Sequence, residues 1–157
     1  MIQNIWSVLC SKNITDVQSN NASLIDIPEE VSIFVSSEEQ VPINVLVNLE
    51  LVTYWERGDS ETPEQGRFRV CLKFPGEHPT DFPNSQEATI DLTNNLRARV
   101  AMRIQALPVF QSGIHRFNVE VEVEDKWHQV ASVPLLINKF QQEEVPQDTQ
   151  LKSAEAE

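Results

Sequence analysis

The sequence predicts an all-β protein built as an antiparallel two-sheet sandwich, immunoglobulin-like or similar, with seven to nine strands. Apolar and polar residues alternate over much of the chain, connectors that contain Gly or Pro separate the alternating segments, and no long amphipathic helical run stands out. Alternation with period two buries one face of each strand, and two such sheets pack face to face. A closed barrel has a similar strand pattern and stays open as the rival architecture.

Four segments alternate most regularly and are predicted as strands: 43–55, 67–74, 96–106 and 114–124. In the last of these, Phe117, Val119 and Val121 share one face, and Glu120 and Glu122 occupy the other. Weaker patterns predict the remaining strands: 5–12, 87–92, 127–137, and 24–27 with 31–35 as two short strands or as one strand broken near Pro28.

The last two strands are expected to form a hairpin. A three-residue loop at 124–126 places Trp127 and Ala131 on the same face as Val119, whereas a two-residue loop reverses that register. The longer loop is preferred because Val133, Leu135 and Ile137 then also point inward. Pro134 indicates an edge or a bulge, since proline cannot donate to a ladder.

The chain of 157 residues is long enough for one domain with a substantial core. We assign residues 1–140 to this domain. Residues 141–157 contain five acids, one lysine and no aromatic residue, so they are predicted to be a disordered acidic tail.

The formal net charge of −12 argues against nucleic-acid and anionic-membrane partners, because phosphate binding depends on Lys and Arg. The four glycines lack the spacing of nucleotide-binding loops. No stretch of apolar residues is long enough to span a bilayer. The first ten residues lack a basic leader and an unbroken apolar run, so we expect no secretory signal and a cytoplasmic protein whose Cys10 and Cys71 are reduced.

The candidate catalytic residues do not form a recognisable set. His78, His115 and His128 lack metal-ligand spacing, and His115 is in phase with the apolar residues of its strand, as expected for a core histidine. Cys71 lies between Arg69 and Lys73, which would favour its thiolate, but no base accompanies it in the local sequence. We interpret Cys71 as an incidental, half-exposed thiol. We predict no enzyme activity, no cofactor and no metal.

Six of the 12 basic residues lie on the polar faces of two predicted strands: Arg67, Arg69, Lys73, Arg97, Arg99 and Arg103. They could form a basic stripe for an acidic partner or RNA. Cross-strand pairing is favoured instead, with Arg97 and Arg99 facing the acids at 120, 122 and 124, because consecutive strands usually neighbour each other.

The candidate interaction surface consists of Tyr54, Trp55, Arg57 and Trp127. Large aromatics beside an arginine are typical of protein-binding hot spots. Only one of Tyr54 and Trp55 can face the core, so the other is expected to be partly exposed. The Arg57-Gly58-Asp59 sequence next to them is interpreted as a solvated turn rather than an adhesion motif.

The landmarks at 23–31, 107–110, 113–119 and 127–135 are Gly and Pro residues set in hydrophobic patterns. With these landmarks, residues 4–138 resemble a family of small prokaryotic β-sandwich proteins described as a domain of unknown function. The resemblance implies a prokaryotic or phage source and a cytosolic sandwich, and it transfers no catalytic residue.

The leading functional hypothesis is a non-enzymatic protein–protein interaction module, either an adaptor or a complex subunit. The alternatives are a β-sandwich that binds a small molecule or carbohydrate on a concave sheet, and an enzyme centred on Cys71 or His115. The oligomeric state and the identity of the partner stay open.

Overall fold

The computed structural model describes residues 1–36, 42–59, 61–76 and 85–141. These residues form ten strands and no helix: β1 (Ile2–Cys10), β2 (Lys12–Thr15), β3 (Ala22–Ile25), β4 (Glu30–Val35), β5 (Ile43–Arg57), β6 (Glu64–Lys73), β7 (Ser85–Leu92), β8 (Arg97–Val109), β9 (Gly113–Val123) and β10 (Lys126–Gln141). The all-β prediction is confirmed. The strand count exceeds the prediction because the chain bends at Ser11 and starts a separate strand at Lys12.

The strands form three sheets rather than two. One sheet has the order β1-β5-β8, the second has the order β4-β10-β9-β6-β7, and β2 and β3 form a two-stranded ribbon. The five-stranded sheet is curled like half of a barrel. The segment around Pro28 separates β3 from β4, so the prediction of two short strands there is confirmed.

The expectation of a purely antiparallel structure is wrong for one pair. β4 runs parallel to β10, and the pairing extends from Leu136 opposite Glu30 to Gln141 opposite Val35. This pairing exists because β10 continues past residue 137, where the predicted strand ended. Pro134 lies before this paired segment, where β10 has only β9 beside it among the described strands, so its missing N–H interrupts no pairing with β4.

A single apolar core contains side chains from both larger sheets. The indole of Trp55 on β5 packs against Phe68 on β6, with ring centroids 5.0 Å apart. Leu51, Leu135 and Ile137 are also fully buried in this core. Full burial of one large apolar side chain contributes about 1.5–3 kcal/mol, so this core is a principal source of stability.

The β9–β10 hairpin differs from its predicted form. Its turn has two residues, Glu124 and Asp125, both with positive φ (50° and 60°), as in a type I′ turn. A bulge between Gln129 and Ala131 then restores the predicted inward phase of the rest of β10. Trp127 pairs with Glu122 before the bulge and points to the outer face of the sheet.

Strand β8 pairs with β5 and not with β9, so the predicted partners of its arginines are wrong. Arg97 lies opposite Glu56, and Arg103 lies opposite Glu50. β8 belongs to the three-stranded sheet, and the chain crosses to the other sheet before β9 begins. Cross-strand charge pairing does occur, but with different glutamates.

The two-stranded ribbon lies over the outer face of the three-stranded sheet. The backbone N–H of Asn13 on β2 donates to the Glu50 carboxylate at 3.1 Å, and Arg99 donates to Asn20 in the β2–β3 turn. Val52 is fully buried on this outer face although it alternates out of phase with the core residue Leu51.

The predicted disordered tail, residues 141–157, lies outside the described residues except for Gln141, which is the last residue of β10. Within the described part of the chain, no helix has the length and apolar character required to cross a membrane.

Candidate functional site

The four residues of the predicted interaction surface do not lie together. Trp55 is fully buried, and its indole Nε1 donates to Thr53 Oγ1 at 2.7 Å, so it belongs to the core and not to a surface. Its inward orientation follows from alternation, which turns the neighbouring Tyr54 outward. Tyr54 is half-buried and packs against Trp6, with ring centroids 5.3 Å apart.

Arg57 is the last residue of β5, and its side chain forms hydrogen bonds with backbone carbonyl groups that follow it in the chain. Its Nη1 donates to the carbonyl oxygens of Thr62 and Leu92, both at 3.2 Å. Asp59 accepts hydrogen bonds from the Glu61 N–H and the Thr62 hydroxyl, and these bonds hold the pKa of the Asp59 carboxyl below its usual value. These contacts are those of a structured turn, which agrees with the turn interpretation of Arg57-Gly58-Asp59.

Trp127 lies on the outer face of the five-stranded sheet. Its ring covers two arginines of β6, with Arg69 Cζ 4.5 Å and Arg67 Cζ 5.7 Å from the ring centroid. Arg69 pairs with Glu120 at 2.6 Å, and Arg67 pairs with Glu122 at 3.2 Å. We call these five residues the charge ladder. Its arginines already have carboxylate partners, so it does not form a free basic stripe.

The two described histidines, His115 and His128, lie towards opposite ends of the β9–β10 pairing. His115 is fully buried, as predicted, and its Nδ1 lies 3.1 Å from Gly113 O, while Nε2 has no hydrogen-bond partner among the described residues. His128 is exposed on β10, and His78 lies outside the described residues. Within the described ranges, no group of three or more His, Cys, Asp or Glu side chains could hold a metal ion.

Cys71 is buried, so the prediction of a half-exposed thiol is wrong. Burial raises its pKa, and the charge of Glu120, whose Oε2 lies 3.8 Å from Sγ, raises it further. Arg69 and Lys73 act in the opposite direction but more weakly.

A different surface carries exposed aromatic side chains next to an open strand. Phe34 on β4 and Phe140 on β10 are cross-strand neighbours whose rings stack with centroids 5.6 Å apart. Phe34 is 71% exposed and Phe140 is 47% exposed. We call the stacked pair, together with the outer backbone edge of β4, the aromatic edge.

The backbone of β4 has one side open. Glu29 O accepts from Leu136 N at 3.0 Å, so the odd-numbered residues of this strand direct their peptide groups toward β10. Because the backbone alternates, the N–H and C=O groups of Glu30, Ser32 and Phe34 point away from β10. No other described strand pairs with β4 on that side.

β4 lacks the charged side chains that usually protect an edge strand. Its only charged residue is Glu30, which accepts from Asn138 Nδ2. Among the other edge strands of the two larger sheets, β7 carries Glu87 and Asp91 and β8 carries three arginines, whereas β1 carries no charged side chain.

A groove adjoins the aromatic edge where β4 begins. It has a volume of about 470 Å³ and is lined mainly by apolar side chains, among them Ile27, Ile114 and Leu136. Ile27 and Ile114 are also exposed. The outer face thus carries two apolar areas, the Phe34–Phe140 pair and this groove, with the polar residues Ser32 and Asn138 between them.

The sequence carries a signal for Phe34. Val31, Ile33 and Val35 define the inward phase of β4, and Phe34 falls on the polar phase between them. An aromatic residue on the outward phase indicates either a second covered face or a binding surface. The parallel pairing with Phe140 joins residues more than 100 positions apart, which no local pattern could reveal.

No protein-family model matches the chain, and no curated protein matches its sequence. The resemblance to small prokaryotic proteins therefore stays a prediction.

Proposed function

We propose that the protein is a non-enzymatic protein–protein interaction module that binds its partner at the aromatic edge. The observation that carries this proposal is the stacked, exposed pair of Phe34 and Phe140 beside a strand with an open backbone side. Exposed apolar patches on soluble proteins are commonly interaction sites, and aromatic residues are enriched at the centre of interfaces.

Phe34 and Phe140 are suited to a hot spot because their stacking already orients both rings. A preorganised pair loses little side-chain entropy when a partner covers it. The groove near Ile114 and Leu136 adds a second apolar area at the other end of the β4–β10 pairing. Together these features supply an aromatic anchor and a nearby apolar groove.

The test is a tagged pull-down from the cells that express the protein, at low and high salt, followed by mass spectrometry. The wild type is compared with a Phe34→Ser/Phe140→Ser double variant. We expect a stoichiometric partner on the wild type that is lost or reduced at least tenfold on the variant. Substituting a hot-spot residue typically costs about 2 kcal/mol or more, which corresponds to a larger loss than tenfold.

A Val17→Ser/Leu46→Ser double variant is the matched control, since these residues are also exposed apolar side chains but lie away from the edge. It should retain the partner. A partner that stays bound to the phenylalanine variant, or that is lost equally from the control, would contradict the assignment of the surface.

A second candidate function is the binding of a small amphipathic molecule. The supporting observation is a cleft of about 370 Å³ between β7 and β8, lined by Leu51, Leu72 and Met102, with Ser85 and Arg103 also on its wall. Decanoate is a suitable probe, and it should raise the melting temperature of the wild type but not of Met102→Trp, which fills the cleft. A flat thermal shift with decanoate would leave this candidate without support.

The proposal also covers how the two larger sheets are arranged and where in the cell the protein is located. We propose that the three- and five-stranded sheets are the two layers of an immunoglobulin-like sandwich, supported by the contact between Trp55 and Phe68. We also propose a cytoplasmic location, where free thiols such as Cys10 and Cys71 stay reduced.

A further inference from the structure

We infer that the partner binds the aromatic edge by strand addition, as an extended basic segment with apolar side chains at every second position. This inference rests on the proposed function and specifies the partner's chemistry. In strand addition, backbone hydrogen bonds supply affinity and alternate side chains supply specificity.

The first argument is the direction of the free backbone groups. The N–H and C=O groups of Glu30, Ser32 and Phe34 point to the open side, and Phe34 presents its ring on the outer face beside them. A strand added here satisfies three residues of backbone and places its own outward side chains next to Phe34 and Glu30. Its inward side chains continue the apolar row of Ile33 and Val35.

The second argument is charge. The whole chain carries a formal charge of −12, and Glu29 and Glu30 are exposed at the start of β4. A basic segment is attracted to this surface, whereas an acidic one is repelled. The same charge disfavours a second copy of this chain, because two copies that each carry a net charge of −12 repel each other.

The probe is a fluorescein-labelled peptide, Lys-Val-Thr-Val-Phe-Val-Lys, whose binding to the full chain is followed by fluorescence anisotropy. Seven extended residues span about 23 Å, enough to cover the six-residue strand β4. The charge-reversed peptide with Glu at both ends is the matched control. We expect the basic peptide to bind at least tenfold more tightly, with an affinity that falls as salt is added.

Two N-methylated forms of the basic peptide test the backbone contact. One form carries methyl groups on the Val amides, and the other carries them on the Thr and Phe amides. Only one of these two sets faces β4 in a paired strand, so one form should lose binding at least tenfold more than the other. Equal binding by both forms and the unmethylated peptide would overturn strand addition.

Protein variants separate this inference from the proposed function. Ser32→Pro removes an outward N–H and should weaken binding at least tenfold, whereas Ser32→Ala should not. If the Phe34→Ser/Phe140→Ser variant loses the peptide while both methylated forms bind normally, the surface is right and strand addition is wrong. If that variant binds the peptide as the wild type does, the surface itself is wrong. A wild type that dimerises through this edge in light scattering, with the dimer lost in Ser32→Pro, would assign the edge to a second copy and overturn the inference.

Discussion

The indole of Trp127 lies over the guanidinium of Arg69, with 4.5 Å between Cζ and the ring centroid, while the same guanidinium pairs with Glu120 at 2.6 Å. The contact exists because the two-residue turn at Glu124 and Asp125 places Trp127 opposite Glu122 on the outer face. A cation held between an aromatic ring and a carboxylate is shielded from water on two sides. It therefore contributes more to stability than an open surface pair.

Removing the Arg69 charge should destabilise the protein. In Arg69→Met, the largely buried Glu120 carboxylate (15% exposed) loses its partner, and we expect the free energy of unfolding to fall by about 1–3 kcal/mol. Urea denaturation measures the change. Arg97→Met is the matched control, since the Arg97–Glu56 pair is exposed and its loss should be scarcely measurable. Equal effects of the two substitutions would contradict the shielding of Arg69.

A substitution in the turn between β9 and β10 should increase the stability of the protein. Asp125 has φ 60°, a left-handed conformation that glycine adopts without steric cost. Asp125→Gly converts the turn to Glu-Gly and should raise the free energy of unfolding by up to about 1 kcal/mol. Asp125→Ala, which has no hydrogen-bonding side chain to support positive φ, should lower it. A glycine variant less stable than the wild type in thermal unfolding would argue against the two-residue turn.

His115 should make stability depend on pH. Burial lowers the pKa of its imidazole below the ordinary value of 6.5, so the unfolded chain binds a proton at a higher pH than the folded chain does. The free energy of unfolding contributed by this group is therefore complete above about pH 6.5 and decreases as the pH falls through that value.

Denaturant titrations at pH 7.5 and 5.5 measure this effect. His115→Phe, whose ring can keep the edge contact with Phe74, should reduce the loss of stability between the two pH values. His128→Gln alters an exposed histidine and should leave the loss unchanged. The prediction is wrong if the His115 and His128 variants show the same pH profile.

Neither thiol should react readily in the folded protein. Cys10 and Cys71 are both buried, and burial together with Glu50 and Glu120 raises their pKa above the ordinary value. Since the thiolate is the reactive form, a disulfide reagent at pH 7.5 should modify both cysteines slowly in buffer and rapidly in denaturant. Rapid native modification of Cys71 would restore the half-exposed interpretation.

The sequence predicted the inward phase of most strands and the pairing of β9 with β10, but it did not predict the neighbours of β4 and β8. Alternation placed Phe117 and Val119 in the core, and the structure agrees, because period two is a property of each strand alone. It could not show that Glu120 faces Arg69 rather than Arg99, since strand pairing depends on the packing of the whole chain. The aromatic edge was missed for the same reason, because it depends on a parallel contact between Phe34 and Phe140.

The bulge in β10 gives the hairpin one extra residue. The position of that residue determines whether Trp127 points to the outer face of the sheet or to the interior. After the bulge, Ala131 pairs with Val119, as it would if the turn had three residues and β10 had no bulge. The two hairpins have identical chain length and identical pairing from Ala131 onward. They differ only in the register of residues 127–129. In one register Trp127 points to the outer face of the sheet, and in the other it points toward the interior. The orientation of Trp127 is thus a local choice of register, separable from the rest of the sheet.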